Sequence, residues 1–310
     1  MSDYNEAWPD PTGLVPALRY CPVPASIPSS LAILFARLAA RLPLAWLQAT
    51  GGLAGRLALW ASPGFRRKTE DNLTAAGLPV QTLAAASAAQ AGAAACETLW
   101  IWFSGDERLK TRIRCEHFEL LERARAAGRG VILLTPHLGS FEAAARSMAF
   151  SEPITVLYKP PREAVGRSLI EAGRRRSTVH LAPASSAGVR ALVRALRRGE
   201  AIGVLPDQVP SDGEGVWAPF FGRPAYTMTL PQRLAGLTGA TVLLAYGERL
   251  PRGQGWTIRI EPFTEEPSPG QINRAMEDLI RRLPEQYFWG YNRYKVPPGV
   301  TRPVADQPGA

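Results

Sequence analysis

The chain has 310 residues, 46% of them hydrophobic and 20% charged, which allows one large or two modest domains with an ample core and argues against a disordered chain. Its net charge of +9 and sequence pI near 9.9 favour an acidic partner, whether nucleic acid, an anionic membrane or an acidic protein, and do not choose among them. Three scattered cysteines, Cys21, Cys96 and Cys115, form no CxxC, and with only His117, His137 and His180 they argue against a zinc cluster or a disulfide framework and fit free thiols.

The polar, acidic start Met1-Ser-Asp-Tyr-Asn-Glu6 is unlike the basic start of a signal peptide, so secretion is not expected. A Pro-rich lead occupies residues 1–30, and Ser29 and Ser30 then stand where they can cap a helix from Leu31 toward Pro43. Leu31, Leu34, Phe35, Leu38 and Leu42 share one face of that helix, with Arg37 and Arg41 directed elsewhere. A second apolar segment, Leu44 to Trp60, contains Arg56 and central glycines. Neither segment reaches the ~18 uninterrupted apolar residues of a membrane span. Such a pair either lies in a bilayer interface or packs on the protein's own core.

Phe65 to Leu73 reads as a basic helix start followed by a polar face. The Ala-rich stretch from Leu73 to Cys96 reads as a closely packed helix, ended by Glu97 and the aromatic run Trp100, Trp102 and Phe103. Residues 31–104 thus read as a helical region, membrane-associating on the first of those two readings, 105–296 as a core, and 297–310 as a loose tail.

Within the core, Ile113 to Ala127 is a strand or helix leading to Val131-Ile-Leu-Leu-Thr-Pro-His-Leu-Gly-Ser-Phe-Glu142, a short buried strand that stops at Pro136 ahead of His137 and an Ala-rich helical pattern. A histidine at a strand's carboxyl end can act as a general base, and a nearby carboxylate such as Glu142 can fix its tautomer; the competing reading is a simple polar contact. Further strands are expected at Ile154–Lys159, Ala201–Leu205, Thr241–Glu248 and Trp256–Ile260, and helices at Arg162–Arg176, Ala187–Arg198, Tyr226–Leu237 and Gln271–Leu283. That alternation predicts an α/β fold with a mixed, largely parallel sheet flanked by helices, whose sites lie at the carboxyl ends of strands.

Four motifs then occur in one order: Pro136-His137-Leu-Gly-Ser-Phe-Glu142, Gly173-Arg174-Arg175-Arg176-Ser177, Leu205-Pro206-Asp207-Gln208, and Val216-Trp-Ala-Pro-Phe220-Phe221-Gly222-Arg-Pro224. With Arg67–Leu73 and the terminal Trp289-Gly-Tyr-Asn-Arg-Tyr-Lys295, the chain from Ala32 to Lys295 resembles the bacterial lipid A late acyltransferases, the lauroyl or myristoyl transferase type of the lysophospholipid acyltransferase superfamily. The resemblance implies a glycerolipid-acyltransferase-like core with His137 as general base and Glu142 in the superfamily's acidic position. Ser140 and Phe141 depart from the Asn and Trp often found there.

The implied activity is transfer of a fatty acyl chain from acyl carrier protein, or from coenzyme A, to a hydroxyl of a lipid A precursor, at the cytoplasmic face of the inner membrane and without a bound cofactor. No GxSxG elbow suggests an acyl-enzyme, so transfer is direct. Oxyanion donors are sought in Arg174 and in the backbone N–H groups near Gly139 and Ser140. Asp207 and Gln208 either orient the acceptor, hold Arg174 or cap a loop. Phe220, Phe221 and Gly222 either shape the acyl groove or pack in the core. Arg162, Arg167 and Arg175 read as a solvated charged face. Two alternatives remain: the same chemistry on a glycerolipid, aminolipid or glycolipid, and a non-catalytic basic protein binding membranes or nucleic acid, against which stands the lack of a nucleic-acid motif.

Overall fold

The computed structural model describes residues 29–161, 163–174 and 178–303. The Pro-rich lead up to residue 28, Arg162, Arg175, Arg176 and the end of the tail lie outside them. Four helices come first: α1 (Ser29–Ala39), α2 (Leu44–Ala61), α3 (Pro63–Ala75) and α4 (Val80–Phe103). The helix expected from Leu73 to Cys96 is in fact divided. Gly77 adopts a left-handed φ of 69° and Leu78 N–H returns to Leu73 O at 3.0 Å, a glycine-based helix stop, after which Pro79 opens α4.

The glycines of α2 have a packing role. A Cβ on Gly92 of α4 would lie 2.0 Å from Gly51 O, and one on Gly55 would lie 1.9 Å from Ala88 O, so the α2 and α4 backbones touch through their small residues. With its small face spent on α4, α2 turns large side chains outward. Phe35 of α1 and Trp60 of α2 are 70% and 77% exposed, and Leu34, Leu38, Trp46 and Leu57 are exposed beside them. The α1 face predicted to be apolar therefore points away from the protein, while Ala36 and Ala39 are buried. No single described helix is long and apolar enough to cross a membrane; α1 and α2 meet that test only as a pair bent by 118°.

The remaining elements are α5 (Asp106–Lys110), β1 (Ile113–Glu116), α6 (Phe118–Ala126), β2 (Val131–Leu134), α7 (Phe141–Met148), β3 (Ile154–Tyr158), α8 (Ala164–Arg174), β4 (Val179–Pro183), α9 (Ser186–Arg197), β5 (Ala201–Val204), β6 (Gly215–Phe220), β7 (Arg223–Met228), α10 (Leu230–Thr238), β8 (Thr241–Arg249), β9 (Trp256–Pro262) and α11 (Pro269–Arg282). Seven strands form one sheet in the order β1-β9-β8-β2-β5-β3-β4, antiparallel only between β8 and β9. The α/β, largely parallel architecture is thus present.

Strand β2 lies in the middle of the sheet and is buried on both faces. Val131 and Leu133 pack with Trp100, Trp102, Leu121 and Met148 of α4, α6 and α7. Ile132 and Leu134 pack with Leu192, Leu234, Met276 and Ile280 of α9, α10 and α11. Such a strand reads as a continuous apolar run, as Val131–Leu134 does.

Two elements differ from expectation. Strand β4 has mixed polar and apolar residues at the sheet edge, a weak pattern. Tyr226, expected to open a helix, sits in a β6–β7 hairpin paired from Gly215↔Met228 to Phe220↔Arg223. Its tight turn is Phe221-Gly222, both with positive φ (46° and 72°), the twist a two-residue hairpin requires. Helix α10 begins only after Thr229.

Candidate active site

Strands β2 and β5 run parallel with Leu134 opposite Val204, so the chain leaves both at the same sheet edge. His137 and Asp207 each follow by three positions, which brings the histidine of one turn against the carboxylate of the next. Asp207 Oδ1 lies 2.8 Å from His137 Nδ1, and Asp207 Oδ2 accepts the His137 backbone N–H at 2.9 Å. The bidentate grip fixes both ring and main chain. With Nδ1–H given to Asp207, Nε2 carries the lone pair, and the Gln208 side-chain amide approaches it at 3.1 Å. The His137 ring remains partly exposed, while the Asp207 side chain is 1% exposed. Burial pushes the Asp207 carboxyl up, but the charge and hydrogen bonds of His137 outweigh it and hold the group below its ordinary value. Beneath it, burial together with the Asp207 charge drives the Tyr287 hydroxyl well above its usual range.

The partner of His137 is therefore Asp207, and no hydrogen bond joins His137 to Glu142. The helix geometry explains the difference. Phe141, the first residue of α7, packs its ring edge-on against His137 at 5.1 Å. Glu142, next in the turn, is directed elsewhere: it accepts Trp102 Nε1–H at 2.7 Å and Arg174 Nε–H at 3.2 Å, with Arg174 Nη2 closing a forked ion pair. Gly173 lets α8 lie flush on Trp102, since a Cβ there would come within 2.7 Å of that side chain. Arg174 is thus held by Glu142 rather than by Asp207. Next to this cluster a narrow cavity of about 50 Å³ runs between the sheet and the α7 and α8 helices, lined by Leu133, Phe141, Met148, Val156 and Leu205 among others.

The backbone donors expected at Gly139 and Ser140 are both engaged. Gly139 N–H bonds Gln286 O at 2.9 Å and Ser140 N–H bonds Gly247 O at 2.7 Å. Gly139 has a φ of 60°, and a Cβ on it would lie 2.0 Å from Gly247 O, so only glycine lets the loop dock on β8. Its carbonyl accepts from Arg249 Nη2 at 3.0 Å. Arg249 is itself forked onto Glu97 at 2.7 and 2.6 Å, and Glu97 also accepts Gln48 Nε2–H at 2.8 Å. This buried ion pair of α4 and β8 clamps the histidine loop from behind. Its sequence signal was Glu97 itself, the first charge after a long uncharged helix; Arg249 and Gln286 carried none.

Phe220 and Phe221 do not border that cavity. They are 2% and 7% exposed and sit in the core on the other face of the sheet, ring against ring with Trp289 and Tyr294. Phe221 keeps its positive φ because its N–H is held by Glu277 Oε1 at 2.7 Å, and Gly222 is the turn residue beside it. Core packing and hairpin geometry account for all three. Trp289, Tyr291 and Arg293 fasten the terminal segment: Asn72 Nδ2 donates to Trp289 O and Tyr291 O at 2.7 Å each, and buried Arg293 bonds Tyr226 O at 2.8 Å.

The family model of bacterial lipid A biosynthesis acyltransferases matches residues 21–296, which takes in every element above. The chain belongs to that family. It is 30% identical over 222 residues to the lipid A biosynthesis palmitoleoyltransferase of Escherichia coli K12, covering 69% of this chain and 70% of that protein. It is also 27% identical over 210 residues to the lauroyltransferase of the same organism, covering 65% and 68%. A Haemophilus influenzae lipid A biosynthesis acyltransferase is 26% identical over 229 residues, covering 68% and 70%. As a member of this family the chain is an acyltransferase.

Proposed function

We propose that this acyltransferase moves a fatty acyl chain from acyl carrier protein to a hydroxyl of a lipid A precursor at the cytoplasmic face of the inner membrane, with His137 as general base. The observation that carries the mechanism is the Asp207–His137 pair, which leaves Nε2 as the basic nitrogen at the carboxyl edge of the sheet. The acceptor hydroxyl displaces the Gln208 amide and gives its proton to Nε2. Its oxygen attacks the thioester carbonyl, a tetrahedral oxyanion forms, and its collapse expels the thiol, which takes the proton back from His137. Asp207 stabilises the imidazolium that exists between these steps.

For the oxyanion, Arg174 is the donor of choice, because Nε and Nη2 serve Glu142 while Nη1 has no partner among the described residues. Glu142 thereby acts through Arg174, as a positioning residue. The cavity next to Phe141 is the entrance for the acyl chain, and its small volume means that α7 and α8 part when a chain enters. The net charge of +9 suits both an acidic carrier protein and an anionic membrane, and the exposed apolar face of α1 and α2 suits an interfacial seat.

The test is a transfer assay with radiolabelled acyl-acyl carrier protein and a lipid A precursor in mixed micelles. Labelled lipid is expected from the wild type and none above background from His137→Ala. Unchanged transfer by that variant would remove the proposed base, and transfer only to a glycerolipid acceptor would redirect the acceptor assignment.

A further inference from the structure

Between α1 with the turn after it, the end of α4 and α8 lies a second cavity, of about 400 Å³, lined by Arg37, Arg41 and Arg108 together with Ser104 and, among the described residues, by no carboxylate. We infer that it holds the phosphate group of a membrane lipid headgroup. Arg37, in the last turn of α1, and Arg41, in the turn that follows it, form no ion pair among the described residues, and like charges four positions apart repel unless an anion joins them. Arg108 is fixed in place: Nη1 bonds Ala40 O at 2.7 Å and the guanidinium lies 4.8 Å from the Trp100 ring centroid. The acidic side chains next to it in sequence, Asp106 and Glu107, are occupied by Arg146 and Lys110. Ser104 is 4% exposed and its hydroxyl has no hydrogen-bond partner among the described residues, so a buried polar group in the lining waits for one.

The setting selects a lipid over a protein. Leu34, Phe35 and Leu38 of α1, with Leu42 just beyond its end, are exposed and would enter the acyl layer, leaving the arginines at phosphate depth. A cavity of 400 Å³ takes a phosphate group, whereas a helix of a partner protein, about 10 Å across, does not enter it. The cavity also borders Ala172, next to Gly173 and Arg174, so a headgroup bound there lies behind the Trp102–Glu142–Arg174 cluster. The inference rests on the proposed interfacial seat of α1 and α2.

The full chain and its Arg37→Gln/Arg41→Gln variant are compared by flotation with phosphatidylcholine vesicles, with and without phosphatidic acid, and by thermal unfolding with and without inorganic phosphate. Arg190→Gln/Arg194→Gln, which removes the same charge from an exposed turn of α9, is the control. The expected result is at least a tenfold loss of the phosphatidic-acid-dependent binding in the α1 variant, with binding to uncharged vesicles kept and the control close to wild type. Equal losses in both variants would reduce the effect to net charge and overturn the inference. Stabilisation by inorganic phosphate that only the α1 variant lacks, without flotation of any form, would leave the cavity a free-phosphate site and contradict both the lipid source and the interfacial seat. Intact vesicle and phosphate responses with a raised KM for acyl carrier protein in the variant would assign the arginines to the donor and overturn it as well.

Discussion

Asp207 makes the acid–base pair sensitive to pH in a defined direction. Its carboxyl lies below its ordinary value in the folded protein, so the stability it contributes is fully present above the unfolded value of about 3.9 and is lost as pH falls through the lower folded value. Denaturant midpoints of the wild type and Asp207→Asn should therefore differ most at neutral pH and draw together as pH falls below the unfolded value of about 3.9. A gap that does not narrow as pH falls below about 3.9 would show that the carboxylate's charge is not what holds the turn. The residue-level reading of the sequence located the histidine, because a buried strand ending in Pro-His before a helix is a local pattern. The partner was misassigned because proximity in sequence favoured Glu142, whereas parallel pairing of β2 with β5 brings in a residue 70 positions away.

Among the elements, α4 does the most to connect the parts. Its small residues carry α2, its Glu97 clamps the His137 loop through Arg249, and its Trp102 holds Glu142. The α2 contact is backbone on backbone, so a side chain there has nowhere to turn. Gly92→Ala is expected to cost about 1–3 kcal/mol, as overpacking does, whereas Gly64→Ala in α3, with open space around its Cβ, should be neutral or gain up to about 1 kcal/mol. Equal midpoints for the two in urea would refute the close packing. Periodicity found α9 and α11 because each has one apolar stripe. It missed the hairpin at Gly215–Met228 because Tyr226 and its neighbours carry an apolar content that fits either state, and the turn Phe221-Gly222 has only one glycine to mark it. The break at Gly77 was hidden by the Ala-rich stretch on its far side.

For the molecule as a whole, the charge and the exposed apolar face belong together: a basic protein presents Leu34, Phe35, Trp46, Leu57 and Trp60 outward on two helices that pack inward through alanines and glycines. Large side chains in water are tolerated in folding and gain about 1.5–3 kcal/mol each when buried elsewhere. Phe35→Ser/Trp60→Ser should therefore lower partition onto neutral vesicles by at least tenfold and leave the unfolding midpoint within about 0.5 kcal/mol of wild type. Unchanged partition would mean that the face meets something other than lipid. Under the proposed function His137 meets its acceptor at that lipid surface, and transfer then depends on whether Asp207 arms the histidine. The most direct measurement is kcat for acyl transfer by Asp207→Asn, with circular dichroism to confirm the fold. A fall of about 10²-fold or more is expected, whereas wild-type kcat in a folded Asp207→Asn protein would contradict the central claim.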